Sequence, residues 1–86
     1  MRVRFHHNFR RQYQRLRAGE QKRFKERRDL FLADPYHPLL NNHPLRGKYE
    51  GYRSINIGGD LRAVYKRLDH DSVLFTEIGP HHTLYS

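Results

Sequence analysis

The 86-residue chain contains no cysteine, which excludes a disulfide framework and any thiolate metal centre. It has no long hydrophobic run either: apolar residues nowhere approach the roughly 18 in succession that a membrane-spanning helix requires. The first residues, Met1 to Phe5, alternate basic and apolar and lack the apolar stretch of a signal peptide. A cytoplasmic protein is the expectation. Repeats, low-complexity tracts and linkers are absent, and the chain is too short for two ordinary domains, so residues 1–86 are read as one compact domain with a small core. Acidic residues are scarce: 9 Asp and Glu face 17 Lys and Arg, giving +8 before any of the seven histidines is protonated. Such a surface attracts polyanions, either a nucleic acid whose phosphates release counterions or an acidic protein segment. It also keeps a small domain in solution.

The hydrophobic period divides the chain into a helical front and a stranded back. Met1 to Phe5 reads as a short strand, with Val3 on one side and Arg2 and Arg4 on the other. From Asn8 the spacing is helical, because Phe9, Tyr13 and Leu16 recur at i, i+4 and i+7. Asn8 is the expected N-cap and Gly19 the expected stop. A second helix is predicted from about Glu20 to Ala33, carrying Phe24, Leu30, Phe31 and Leu32 and ended by Asp34-Pro35. From Tyr36 to Gly51 the turn formers Pro38, Asn41, Asn42, Pro44, Gly47 and Gly51 predict a long irregular connection, of the kind that often carries function.

Three strands follow, roughly Tyr52 to Ile57, Leu61 to Lys66 and Val73 to Ile78. Tight turns at Gly58-Gly59 and at Asp69 to Ser72 predict an antiparallel meander. Alternation puts Arg53, Ile55 and Ile57 on one face and Tyr52, Ser54 and Asn56 on the other. On the next strand Leu61, Ala63 and Tyr65 oppose Arg62, Val64 and Lys66. The last strand is apolar on both faces for much of its length, as a central strand is. The expected architecture is α+β, with the helices on the apolar face and an open, cationic trough on the other.

Four segments in this order and spacing, His43-Pro44-Leu45-Arg46-Gly47, Gly51-Tyr52-Arg53-Ser54, Gly59 to Tyr65, and Gly79-Pro80-His81-His82-Thr83-Leu84-Tyr85, resemble the RelE/ParE superfamily of toxins. The likeness is greatest to the YafQ-like branch of the RelE/StbE mRNA interferases and covers nearly the whole chain. It implies a RelE-like fold, an N-terminal strand and helical hairpin packed on a small twisted antiparallel sheet. It also implies the toxin of a type II toxin–antitoxin pair, a ribosome-dependent endoribonuclease that cuts messenger RNA, inhibits translation and uses no cofactor. Its partners would be a cognate antitoxin, through which the complex binds operator DNA, and the ribosome with its mRNA. Carried residue by residue, the resemblance gives catalytic roles to His43, Asp60, His81 and Tyr85 and a phosphate-binding role to Arg62. Ser54 and Asn56 stand where that branch commonly has an acidic residue and a histidine. The alternatives are a ParE-like toxin that binds DNA gyrase and cuts nothing, and an inactive RNA-binding relative.

RNA cleavage through the substrate's own 2′-hydroxyl needs a base, an acid for the 5′-oxygen and positive charge at the phosphate. Histidine suits both proton transfers because its reference pKa lies near neutral pH. His81 is the first choice and His43 the second, with Asp60 orienting an imidazole. Arg62 is the phosphate clamp, since a guanidinium is a planar fork of donors that stays charged; Arg53 and Lys66 are the further substrate-binding cations. Tyr85 would stack on a base or bond a phosphate. His82 is set aside, because neighbours on an extended segment point apart. His43, His81 and His82 match no recognised zinc spacing, so no metal is expected.

Overall fold

The computed structural model describes residues 1–85, with side chains through Leu84. Strand β1 (Arg2–Phe5) leads into helices α1 (His7–Gln14) and α2 (Ala18–Ala33). A segment with two short 3-10 turns and a two-residue strand, β2 (His43–Pro44), follows. The meander β3 (Tyr52–Gly58), β4 (Leu61–Asp69) and β5 (Ser72–Pro80) comes next, and a short helix, α3 (His81–Tyr85), ends the described chain.

The five strands form one sheet in the order β1-β5-β4-β3-β2. The meander is antiparallel as expected, while β1 lies parallel to β5, so the sheet is mixed. Two-residue turns join the meander strands. At the first, Gly58 and Gly59 take φ of +147° and +54°, values that a side chain disfavours. At the second, the Asp69 carboxylate accepts the backbone N–H of Asp71 at 2.8 Å. The carboxyl of Asp69 is held below its ordinary pKa by that bond and by others from Ser72.

The helices cover the face carrying Ile55, Ile57, Leu61, Ala63, Tyr65, Val73, Phe75 and Ile78, all buried in one cluster with Phe9, Phe24, Phe31 and Leu40. Aromatic rings dominate the contact. Phe9, Phe24, Phe31 and Tyr65 each meet the Phe75 ring at centroid distances of 5.5 to 5.8 Å, in tilted or edge-on geometries that ring quadrupoles favour. The hairpin is tied by Tyr13 and Gln21: the tyrosine hydroxyl donates to the Gln21 carbonyl, and the glutamine amide donates to the Tyr13 carbonyl.

Two helix boundaries differ from the sequence expectation. The N-cap of α1 is His6, whose Nδ1 accepts the Asn8 N–H at 3.1 Å. Asn8 sits inside the first turn and accepts from Arg11 instead. Gly19 ends nothing: α1 stops at Gln14, and α2 starts at Ala18 because the Glu20 carboxylate reaches back to the Arg17 N–H at 3.0 Å. A carboxylate there also opposes the positive end of the helix dipole.

Candidate functional site

Register places the open face in rows. His43 lies across from Ser54, Ser54 from Val64 and Val64 from Glu77; on one side of this row run Asn56, Arg62 and Gly79, and on the other Tyr52, Lys66 and Leu74. The loop that carries His43 is thus a fifth strand over two residues. Backbone bonds to β3 bring this histidine onto the same sheet face as Arg62, roughly 12 Å from it by strand spacing. The trough is less open than expected, because Ser54 and Val64 in its middle row are fully buried. Leu84 of α3 is buried as well and packs over Gly79, so α3 folds back to wall one end.

The segment before His43 is fixed by a polar network on the opposite face. The Asn42 amide donates to the Tyr65 hydroxyl at 2.8 Å and to the Pro35 carbonyl at 2.9 Å, while its oxygen accepts from Arg53 Nε at 2.8 Å. The Arg53 guanidinium also sits 5.5 Å above the Tyr36 ring. Burial pushes the Tyr65 phenol above its ordinary pKa, against the opposing pull of the Asn42 bond, so it remains a protonated partner. Arg53 was expected among the substrate-binding cations; its guanidinium lies on the helix side of the sheet and braces the loop, apart from Arg62 and Lys66. His43 Nδ1 is 2.8 Å from the Asn41 carbonyl oxygen. A carbonyl only accepts, so Nδ1 carries the proton, and in the neutral ring Nε2 holds the lone pair.

At the walled end, the Asp60 carbonyl accepts the backbone N–H of His81 at 2.9 Å, pinning the start of α3 to the β3–β4 turn. The Asp60 carboxylate lies 3.5 Å from His82 Nδ1. The sequence expectation left open which imidazole Asp60 orients and set His82 aside as part of an extended segment. Both change because residues from His81 onward are helical, which turns the second histidine toward the aspartate. Arg62 Nη1 donates to the carbonyls of Gly59 and Leu61, holding the guanidinium across the same turn. The Tyr85 side chain lies outside the described residues. Among the described residues no three of His, Asp and Glu gather as metal ligands, and no helix is long and apolar enough to cross a membrane.

Two side-chain oxygens, Asn56 Oδ1 and Glu77 Oε2, are buried without a hydrogen-bond donor among the described residues. Both residues belong to the open face by register. Buried acceptors ordinarily have partners, and those that do not require a reason. Neither was singled out as a binding group from the sequence.

Solved structures share this fold over nearly the whole chain. YafQ from E. coli strain BL21(DE3) has a TM-score of 0.82 at 20% identity, covering 100% of both chains. The YoeB/ParE toxin from Agrobacterium tumefaciens reaches 0.78 at 21% identity, covering 94% of this chain and 99% of that one. The E. coli DinJ-YafQ complex gives 0.73 at 21% identity, with 100% of both chains covered. No curated protein matches the sequence. The architecture is that of the RelE-like toxins. Residues 1–86 match the family described as bacterial toxin of type II toxin-antitoxin system, YafQ, and the chain belongs to that family.

Proposed function

We propose that this toxin is a ribosome-dependent endoribonuclease that cleaves messenger RNA without a metal and is neutralised by a cognate antitoxin. The observation that carries the reading is the placement of His43 and Arg62 on one sheet face, with Asp60 and His81 at its walled end. The substrate's 2′-hydroxyl is the nucleophile. His43 Nε2 takes its proton, the oxygen attacks the adjacent phosphorus, and the bond to the 5′-oxygen breaks as His81 supplies a proton to that leaving group. Arg62 holds the phosphate as its charge is redistributed. A hydroxyl already beside the phosphorus needs no metal-bound water, because proximity replaces activation by a metal. The products are a 2′,3′-cyclic phosphate, or its hydrolysed 3′-phosphate, and a free 5′-hydroxyl.

The antitoxin half of the proposal rests on the +8 charge, complementary to an acidic segment, and on the similarly folded E. coli YafQ, which is seen with DinJ. Expressing the chain alone in bacteria, with and without the neighbouring reading frame, tests both halves. Growth arrest with transcripts cut inside translated regions, relieved by the neighbour, is expected. Arrest with intact transcripts and inhibited gyrase would replace the nuclease with a gyrase-binding toxin.

A further inference from the structure

A cleft of about 360 Å³ opens on the same sheet face, extending from Glu77 at the end of the His43 row away from Arg62, among His6, Lys48, Tyr49, Tyr52 and Lys66. Its volume falls in the range of small-ligand sites, roughly 300 to 1,000 Å³. Tyr49 and Tyr52 meet edge to face at 6.0 Å. Each carries a cation over its ring, Lys48 at 5.5 Å from the Tyr49 centroid and Lys66 at 5.6 Å from that of Tyr52. Rings interleaved with cations are what single-stranded nucleic acid uses: a base stacks on the π-face and the ammonium turns to its phosphate. His6 adds a donor. Its Nδ1 accepts the Asn8 N–H, so the proton of the neutral ring is on Nε2.

Glu77 supplies the specificity. Its Oε2 is buried and lacks a donor among the described residues, in a cleft whose lining also holds the cations Lys48 and Lys66. A carboxylate accepts only, so the group that completes it must be a donor, which on a nucleobase is an N–H. Among bases, cytosine and adenine offer an exocyclic amine, and guanine adds a ring N–H beside its amine. Uracil has one N–H between two carbonyl oxygens, which the carboxylate repels. Lys66 and Arg62 are four residues apart on one strand and one face, about 13 Å at 3.3 Å per residue, so the cleft lies beside the cleavage site and apart from it.

We infer that this cleft is a nucleobase subsite, in which Tyr52 stacks one base of single-stranded RNA near the cut, Lys48 and Lys66 hold its phosphates, and Glu77 selects a base bearing an amine over uracil. The inference rests on the reading of this face as an RNA surface.

Binding is measured with 2′-O-methyl oligoribonucleotides, which lack the attacking hydroxyl, each a uracil 9-mer with one adenine, cytosine or guanine, beside the all-uracil chain. The purified full-length protein should bind the amine-bearing oligomers at least fivefold more tightly, with NMR shifts centred on Tyr52, Lys66 and Glu77. Tyr52→Ala should weaken every oligomer roughly tenfold, in keeping with loss of one stacked base. Glu77→Gln, whose amide both donates and accepts, should abolish the preference while uracil binding holds or improves. Equal affinity for all four oligomers by the unmodified protein would overturn the subsite without any variant needing to fold. So would NMR shifts confined to other residues, or displacement by a polyglutamate peptide with no base preference, which would give the cleft to an acidic protein segment. Because these oligomers cannot be cut, a base preference without cleavage of ordinary mRNA would fault the nuclease reading alone, and cleavage without preference the subsite alone.

Discussion

The Asn42 side-chain amide donates to the hydroxyl of Tyr65 across 2.8 Å, joining the residue next to His43 to the middle of the sheet. Through this bond and the one from Arg53, a loop rich in turn formers acquires a fixed geometry. Asn42→Ala leaves the Tyr65 hydroxyl and the Arg53 guanidinium short of a partner and should destabilise the fold by about 1 to 3 kcal/mol. Urea unfolding measures this directly. RNA cleavage under conditions where the variant is fully folded should also fall, because His43 loses its support; unchanged cleavage would separate the network from the site.

Alkaline titration tests the environment of Tyr65. Its phenol is pushed above the ordinary value of 10.0 by burial, so the folded state favours the protonated form more than the unfolded state does. That contribution is complete below pH 10 and is lost as pH rises from there through the folded pKa. Stability should fall more steeply above pH 10 in the natural protein than in Tyr65→Phe, which has no phenol to ionise. Parallel curves would show that the ring is not held as described.

Gly58 should tolerate no side chain. Its φ is +147°, and a Cβ would collide with the Arg23 side chain crossing above it from α2. Gly58→Ala is expected to cost about 1 to 3 kcal/mol from the backbone conformation alone, with a further loss from the collision. In an Arg23→Ala background the collision disappears and the backbone part remains. Thermal melts of the two single variants and the double variant would show the coupling; strict additivity would contradict the contact.

Association with the antitoxin should be fast at low salt and slow as salt rises, since a +8 surface steers an acidic partner over distances that ions screen. Stopped-flow rates between roughly 0.05 and 0.5 M salt test this, the Debye length falling severalfold over that range. A rate indifferent to ionic strength would rule out electrostatic steering.

Much of this fold is written locally in the sequence. The alternation Ile55, Ile57 against Ser54, Asn56 fixes the faces of β3, the glycine turn fixes its hairpin with β4, and Phe9, Tyr13, Phe24 and Phe31 mark the covering helices. What stays hidden depends on partners distant in sequence. Pro44 and its neighbours signal a turn, yet the chain there is strand because Ser54 and Arg53 lie opposite it. Asn42 reads as one more turn former until Tyr65, 23 residues away, is beside it. Asp60 meets His82 only because α3 coils immediately after β5. Glu77 looks like an ordinary solvated acid in an apolar strand, and its orphaned oxygen is a property of packing.

The 3′ end of the cut RNA reports the chemistry at the open face. On ribosomes programmed with a defined mRNA, mass spectrometry of the 5′ fragment should find a 2′,3′-cyclic phosphate or a 3′-phosphate. Its yield should be unaffected by withholding zinc and should fall about 10²- to 10⁴-fold for a folded His81→Ala variant, the usual effect of losing an acid-base group. Intact mRNA, a fragment ending in a 3′-hydroxyl, or full cleavage by the folded variant would contradict the mechanism.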